Sequence, residues 1–280
     1  MRVFRGVSAT RVPVVVRAVG ARVAATTWGG RAARAARVVL CCVPGVAAVG
    51  ILLMCAVFVG PGAAGKSGDG PVRRVVGHAA AQPRIVPRAE WLGGEVPHQP
   101  PARYADRVHA VFVHHTDSPN GYDCADVPRL IHYLYAGQTE GRQWDDIGYN
   151  FLVDRCGTIY EGRAGGIDRA VMGAHTQGFN QGSVGIAAIG TFTAGTPVPR
   201  AMTDAVAALA AWKLGLSDVD PRATVRMVST NSLSKYRAGT SGQFSAVSGH
   251  NDGYYTQCPG AALTAALPRI REEAARLQRR

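Results

Sequence analysis

An apolar run near the middle of the chain ends in two adjacent histidines. Residues 111–113 read Val-Phe-Val, and His114 and His115 follow at once. A short apolar run bounded by polar residues is typical of a strand that is buried on both faces. The pattern therefore predicts a core strand that opens into a loop where the two imidazoles appear.

Three more segments have the length and composition of strands. Residues 149–153 and 158–161 are rich in aromatic and β-branched side chains, and the turn residues 154–157 lie between them. This arrangement predicts a β-hairpin. Residues 183–189 form another apolar run of strand length.

Helical spacing of apolar residues predicts three helices. The first spans about residues 126–138, the second runs from Pro199 or Thr203 to Leu214, and the third from about 259 to 277. Residues 216–247 are polar and contain glycine, and their pattern predicts neither a helix nor a strand. Strands interleaved with helices indicate an α/β or α+β domain, with a central mixed β-sheet flanked by helices.

The N-terminal part of the chain differs in composition from the rest. Residues 1–64 form a basic leader, whose uncharged segment 38–60 is long enough to cross a bilayer. Two interpretations compete: a cleaved export signal, with small residues at 61–64 suited to signal peptidase, or an uncleaved membrane anchor. Both place the chain from residue 66 outside the cytoplasm. Residues 65–82 have linker composition, so the folded domain is predicted at 83–280.

The net charge of +12 is concentrated in this leader. Residues 1–65 contain eight arginines and no acid, so the rest of the chain carries 23 basic against 19 acidic residues. A folded part with so small an excess of positive charge lacks the basic surface that nucleic-acid binding requires. We therefore predict no nucleic-acid partner, and contact with a membrane only through an uncleaved N-terminal segment.

Three polar side chains far apart in sequence have the chemistry of a metal site. His114 ends the predicted core strand, and His250 and Cys258 are separated by seven residues. Two imidazoles and a thiolate form the ligand set that Zn²⁺ takes when it keeps a fourth position for water. Taken singly, each residue has an ordinary structural interpretation, a histidine at a strand end or a buried thiol.

The cysteines of the predicted domain are odd in number. Cys124, Cys156 and Cys258 fall within residues 83–280. If Cys258 is held by zinc, then Cys124 and Cys156 are left to pair in a disulfide. The alternative is that these two remain buried thiols, as a cytosolic chain would have them.

A succession of short motifs gives the domain a family resemblance. In order they are residues 88–91 (RAEW), 113–116 (VHHT), 146–153 (DIGYNFLV), 160–163 (YEGR), 173–176 (GAHT), 178–180 (GFN), and 248–250 (SGH) with 258–260 (CPG). This succession resembles the peptidoglycan recognition protein family, which shares its fold with phage-lysozyme-type zinc N-acetylmuramoyl-L-alanine amidases. The resemblance covers about residues 83–277. The composition, rich in Ala, Arg, Gly and Val, suggests a bacterial member.

The resemblance implies a single amidase domain with one zinc ion at the bottom of a groove, held by His114, His250 and Cys258. It also implies that Tyr149 is the catalytic tyrosine. His175, Thr256 and His115 correspond to positions that line the substrate groove. Peptidoglycan or muropeptides are the implied partners.

Two functions follow from the resemblance. One is an extracytoplasmic zinc amidase, secreted or membrane-anchored, that hydrolyses the amide between the lactyl group of N-acetylmuramic acid and L-alanine. The other is a module that binds peptidoglycan without cutting it. Non-catalytic family members commonly replace the cysteine ligand with serine, and this chain keeps Cys258. The sequence therefore favours the amidase. Hydrolysis also needs a group that accepts a proton from the attacking water. The sequence offers three candidates for this role: Asp146, His175 and Tyr149.

Overall fold

The computed structural model describes residues 77–94 and 99–280. The predicted leader and the first part of the predicted linker lie outside these residues. A six-stranded sheet has the order β1-β4-β3-β5-β2-β8, and a separate two-stranded sheet pairs β6 with β7. The strands are β1 (Ile85–Val86), β2 (Ala110–His115), β3 (Phe151–Val153), β4 (Ile159–Glu161), β5 (Ser183–Ala188), β6 (Thr224–Val228), β7 (Ser241–Ser245) and β8 (Val247–Gly249).

The large sheet is mixed, as the sequence predicts. Only β3 and β4 run antiparallel to each other, and they form the predicted hairpin. The pairs β1–β4, β3–β5, β5–β2 and β2–β8 are all parallel. Helices cover both faces, which explains why the central strands are apolar throughout rather than alternating.

The described residues form five α-helices: α1 (Ala89–Leu92), α2 (Val127–Thr139), α3 (Arg200–Gly215), α4 (His250–Gly253) and α5 (Ala261–Leu277). The three long ones confirm the predicted helices to within a residue or two. Helices α3 and α5 pack against one face of the sheet in the largest apolar cluster. Helices α1 and α2 pack against the other face. No helix among the described residues is both long and apolar enough to span a membrane.

Strand β2 pairs with β5 on one side and with the edge strand β8 on the other, and it directs its side chains to opposite faces of the sheet. Val111 and Val113 join the cluster beneath α3 and α5, whereas Phe112 joins an aromatic cluster on the opposite face. Because side chains alternate along a strand, His114 lies on the same face as Phe112. The predicted metal ligand His114 therefore lies on the face of the sheet that α1 and α2 cover.

Residues 216–247, for which the sequence predicts neither a helix nor a strand, contain the β6–β7 hairpin. Its register pairs Arg226 with Gln243, and three of its ten strand residues are buried. The few apolar residues carry the packing, since Met227 and Phe244 join Phe112 and Phe179 in the aromatic cluster. Strand β7 has Phe244 as its single large apolar residue, and one such residue is too weak a pattern to predict a strand from sequence.

Candidate metal centre and active site

Two neighbouring parallel strands bring the candidate histidine ligands together. β2 and β8 pair with Val113 opposite Gly249, so the residues that follow, His114 and His250, leave the same edge of the sheet. Parallel strands end together, and polar side chains placed there converge. The two imidazole ring centroids lie 4.4 Å apart.

The third candidate ligand arrives on the loop that precedes α5. The backbone nitrogen of Asn251 donates to the carbonyl of Cys258 at 2.9 Å, which holds this loop against α4. Cys258 Sγ lies 3.8 Å from Nδ1 of His114. One donor atom from each of His114, His250 and Cys258 lies within 4.8 Å of the others.

These residues fit a zinc ion. Around tetrahedral zinc, a sulfur and a nitrogen ligand are about 3.6 Å apart, close to the separation of Cys258 Sγ and His114 Nδ1. Burial lowers the pKa of His250 to about 4 and that of His114 well below its usual value, so both imidazoles are neutral near pH 7. Neutral imidazole is the form that binds a metal.

Cys258 needs a cation nearby to exist as a thiolate. Burial raises the pKa of its thiol to about 12, and the backbone N–H of His115, which donates to Sγ at 3.2 Å, only partly opposes this. A bound metal deprotonates a coordinating thiol. Among the described residues Cys258 is the only free cysteine, because Cys124 and Cys156 form a disulfide, one of the two alternatives that the sequence left open.

Tyr149 lies beside the ligand cluster. Its ring centroid is 5.3 Å from that of His114. Burial raises the pKa of its phenol far above the usual value, and the neighbouring Cys258 raises it further. The phenol therefore stays protonated and can donate a hydrogen bond. The regular strand begins only at Phe151, although the carbonyl of Tyr149 still accepts from the backbone nitrogen of Arg163 at 2.8 Å.

His175 is buried behind His114. Only 6% of its surface is exposed, and its Nδ1 lies 3.2 Å from Nε2 of His114. Burial lowers the pKa of His175 to about 3, so the ring is neutral. Its predicted contact with substrate stays a prediction, and the side chain has little surface with which to make one.

The other two predicted groove residues flank Cys258. The Thr256 hydroxyl accepts a hydrogen bond from the backbone nitrogen of Cys258 at 3.1 Å. His115 is half-buried, and its Nδ1 has no hydrogen-bond partner among the described residues. Because this nitrogen is itself buried, it is not available to a ligand in the groove. Substrate contact by either side chain stays a prediction.

Asp146, a candidate proton acceptor, is engaged inside the fold. It lies 3.1 Å from Arg88 in a nearly buried ion pair, and its oxygens accept from the backbone nitrogens of Ile147 and Ala164. A carboxylate with these partners is a structural anchor. The role of Arg88 is not predictable from sequence, because a single arginine before a short helix carries no signal of an ion pair with a residue 58 positions later.

A cavity of about 370 Å³ opens next to the end of β2. Thr116 and Ser118, which follow His115, line one side, and the exposed edge of α2 lines the other with Leu130 and Tyr133. The aromatic cluster of the β6–β7 hairpin lies on the same face of the sheet, next to Phe112. None of His114, His250, Cys258 and Tyr149 lines the cavity.

The geometry agrees with what comparison of the sequence with known families finds. The sequence model of the N-acetylmuramoyl-L-alanine amidase family (Amidase_2) matches residues 104–261, which include all three candidate ligands and Tyr149. This chain belongs to that amidase family. Its relatives include the peptidoglycan recognition proteins that the motifs resemble.

Two of the relatives illustrate the range of the amidase family. The chain is 37% identical over 123 residues to peptidoglycan-recognition protein LE of Drosophila melanogaster, covering 42% of this chain and 33% of that protein. It is 32% identical over 187 residues to the Homo sapiens protein named N-acetylmuramoyl-L-alanine amidase, covering 65% of this chain and 27% of that protein. The chain therefore spans about a third or less of the length of these relatives.

Solved structures of the family share the fold. Drosophila PGRP-LB matches with a TM-score of 0.51 and 26% identity, over 66% of this chain and 92% of that one. Peptidoglycan recognition protein-LE, solved in complex with tracheal cytotoxin, a monomeric diaminopimelic acid-type peptidoglycan, matches with a TM-score of 0.51 and 29% identity, over 66% of this chain and 92% of that one. These matches confirm the predicted central mixed sheet flanked by helices.

Proposed function

We propose that the protein is a zinc-dependent N-acetylmuramoyl-L-alanine amidase, which hydrolyses the amide between the lactyl group of N-acetylmuramic acid and L-alanine. One observation carries the proposal: the donor atoms of His114, His250 and Cys258 converge within 4.8 Å, directly beside Tyr149. A module that only binds peptidoglycan has no need for a complete set of ligands next to a protonated phenol.

The chain's own residues supply the rest of the chemistry. Zinc, when bound, would polarise the amide carbonyl and lower the pKa of a water molecule towards 7. The main barrier to amide hydrolysis is the negative charge that develops on the carbonyl oxygen. Tyr149 is suited to donate a hydrogen bond to that oxygen, because its phenol remains protonated and its ring is fixed against His114.

Similarity to relatives supports peptidoglycan as the substrate class. The human relative is named as an amidase of this bond, and the recognition protein LE was solved with a peptidoglycan fragment. We extend the proposal to location: residues 1–64 act as export signal or anchor, and the domain 83–280 works on a wall outside the cytoplasm.

Mass spectrometry of defined muropeptides tests this proposal. The purified chain is loaded with zinc and incubated with a muropeptide, with and without a chelator. The expected product is a free stem peptide that begins at L-alanine, absent after chelation and restored by added zinc. Substrate that stays intact while it co-elutes with the zinc-loaded protein would identify a recognition module instead and overturn the amidase proposal.

A further inference from the structure

A chain of hydrogen bonds leads from His114 into the protein interior. His114 Nε2 lies 3.2 Å from Nδ1 of His175, and Nε2 of His175 lies 3.4 Å from the hydroxyl of Ser183. The Ser183 hydroxyl in turn donates to the backbone carbonyl of Phe179. We propose that His175 is a positioning residue, which fixes the tautomer of His114 so that the lone pair of Nδ1 faces the metal position. The inference rests on the zinc site of the proposed function.

The fold holds the His175 ring in one place. The side-chain oxygen of Asn180 accepts from the backbone nitrogens of His175 and Thr176, each at 2.8 Å. Gly173 and Gly185 leave room for the ring, because a Cβ atom on either would lie within 2.5 Å of it. A ring so tightly enclosed cannot turn over to exchange its two nitrogens.

The direction of the hydrogen bonds follows from the last acceptor in the chain. A backbone carbonyl only accepts, so the single proton of Ser183 points to Phe179, and the Ser183 oxygen accepts from Nε2–H of His175. A neutral imidazole carries one proton, so Nδ1 of His175 is an acceptor. It therefore receives the proton on Nε2 of His114, and Nδ1 of His114 carries the lone pair.

Thr176 strengthens this arrangement. Its hydroxyl lies 3.0 Å from Nδ1 of His175 and 3.4 Å from Nε2 of His114. The hydroxyl can donate to His175 while its oxygen accepts from His114, which leaves both tautomers as assigned. On the other side of the His114 ring, Nδ1 faces Sγ of Cys258 at 3.8 Å. His175 and Thr176 thus fix His114 in the tautomer whose Nδ1 presents a free lone pair to Cys258 and the metal position.

Outer hydrogen bonds of this kind raise the metal affinity of a site. A histidine ligand whose second nitrogen has a fixed partner is already oriented and already in the binding tautomer. The inference also explains why a polar ring with only 6% of its surface exposed lies beneath the site. A residue that contacts substrate directly would need a larger exposed surface.

Long-range ¹H–¹⁵N correlation spectra of the full-length chain test the tautomers directly. Spectra are recorded on the protein as purified and after zinc addition. We expect His175 to be protonated at Nε2 in both, and His114 to be protonated at Nε2 before zinc is added. A proton on Nδ1 of His175, or on Nδ1 of His114 in the zinc-free chain, would overturn the inference.

A matched pair of variants tests the consequence for zinc. In His175→Asn the amide oxygen can take the place of Nδ1 as acceptor, whereas His175→Leu has a similar volume and no acceptor. Zinc affinity is measured by competition with a chelator. We expect His175→Leu to bind zinc about 10–100-fold more weakly than wild type, and His175→Asn to stay within about threefold, because it restores the acceptor. Equal affinities for the two variants would refute the positioning role.

The two proposals fail in distinguishable ways. If the wild-type chain binds no zinc, the amidase proposal fails, and the spectra still decide whether His175 fixes His114. If wild type binds zinc and cuts muropeptides but His175→Leu binds zinc equally well, only the positioning role is lost.

Discussion

Cys258 Sγ accepts a hydrogen bond of 3.2 Å from the backbone nitrogen of His115. This contact joins the last residue of β2 to the loop before α5, although the two are 143 positions apart in sequence. A main-chain donor aimed at sulfur stabilises the thiolate over the thiol. The strand that presents His114 therefore also prepares the sulfur ligand, and the site is assembled by the fold itself.

Cys258→Ser should abolish zinc binding and amidase activity together. Loss of an outer hydrogen-bond partner already weakens metal binding by about 10–100-fold, so loss of a ligand should weaken it by more than about 100-fold. Zinc content after dialysis and muropeptide hydrolysis measure the two effects. The double variant Cys124→Ser/Cys156→Ser, which makes the same change away from the site, should keep its zinc. Full activity in Cys258→Ser would contradict the metal assignment.

Tyr149→Phe should keep zinc and lose turnover. The variant preserves the ring that packs against His114 and removes only the donor. Loss of one donor to a developing oxyanion lowers kcat by about 10²–10³. Steady-state kinetics with zinc content measured on the same sample check this. Tyr133→Phe, at an exposed position on α2, is the matched control and should match wild type. Unchanged kcat in Tyr149→Phe would remove its catalytic role.

The parts of the fold that the sequence predicts are those with strong periodicity. The core strand before His114 and the helices at 127–139, 200–215 and 261–277 bury continuous apolar faces, so their pattern is visible locally. The β6–β7 hairpin is not predicted from the sequence, because it buries only a few side chains, such as Phe244, against residues distant in sequence. Its packing partners, and not its own composition, make it a hairpin.

The site follows the same division. The sequence predicts the metal ligands as a set, because two imidazoles and a thiol match the ligands that zinc prefers. The structure brings the three residues together: His114, His250 and Cys258. The position of His175 could not be predicted, because its contact with His114 depends on how β5 packs and on the space that Gly185 leaves. The type of a residue indicates what chemistry it can perform. Which other side chains it contacts is decided by tertiary packing.

Removal of the disulfide should destabilise the fold. Cys124 and Cys156 are 32 residues apart and join the turn before α2 to the β3–β4 hairpin. Closing a loop of this length contributes about 3–4 kcal/mol in the chain-entropy account. Urea unfolding of Cys124→Ser/Cys156→Ser should show this loss relative to wild type. A reductant should destabilise wild type similarly and leave the double variant unchanged. An unfolding free energy equal to that of wild type would show that the disulfide does not stabilise the fold.

Asp146→Ala should be far more damaging than loss of an exposed carboxylate. It leaves Arg88 as an unpaired, nearly buried cation and frees two backbone donors. Breaking a buried ion pair on one side typically destabilises by about 3–5 kcal/mol. Asp126→Ala, which removes the partner of Arg129 in an exposed ion pair, should cost less than about 1 kcal/mol. Urea unfolding curves of the two variants check the ranking, and equal losses would argue against Asp146 as an anchor.

Phe244→Ala should destabilise the protein by about 3–5 kcal/mol, because the ring is almost fully buried in the aromatic cluster. Its centroid lies 4.7 Å from that of Phe179 and 5.4 Å from that of Phe112, in edge-on contacts. Leu233→Ala, in the exposed connection of the same hairpin, should change stability by less than about 0.5 kcal/mol. Thermal or urea unfolding compares the two variants. If Phe244→Ala proved as mild as Leu233→Ala, the hairpin would be an appendage and not part of the core that supports β2.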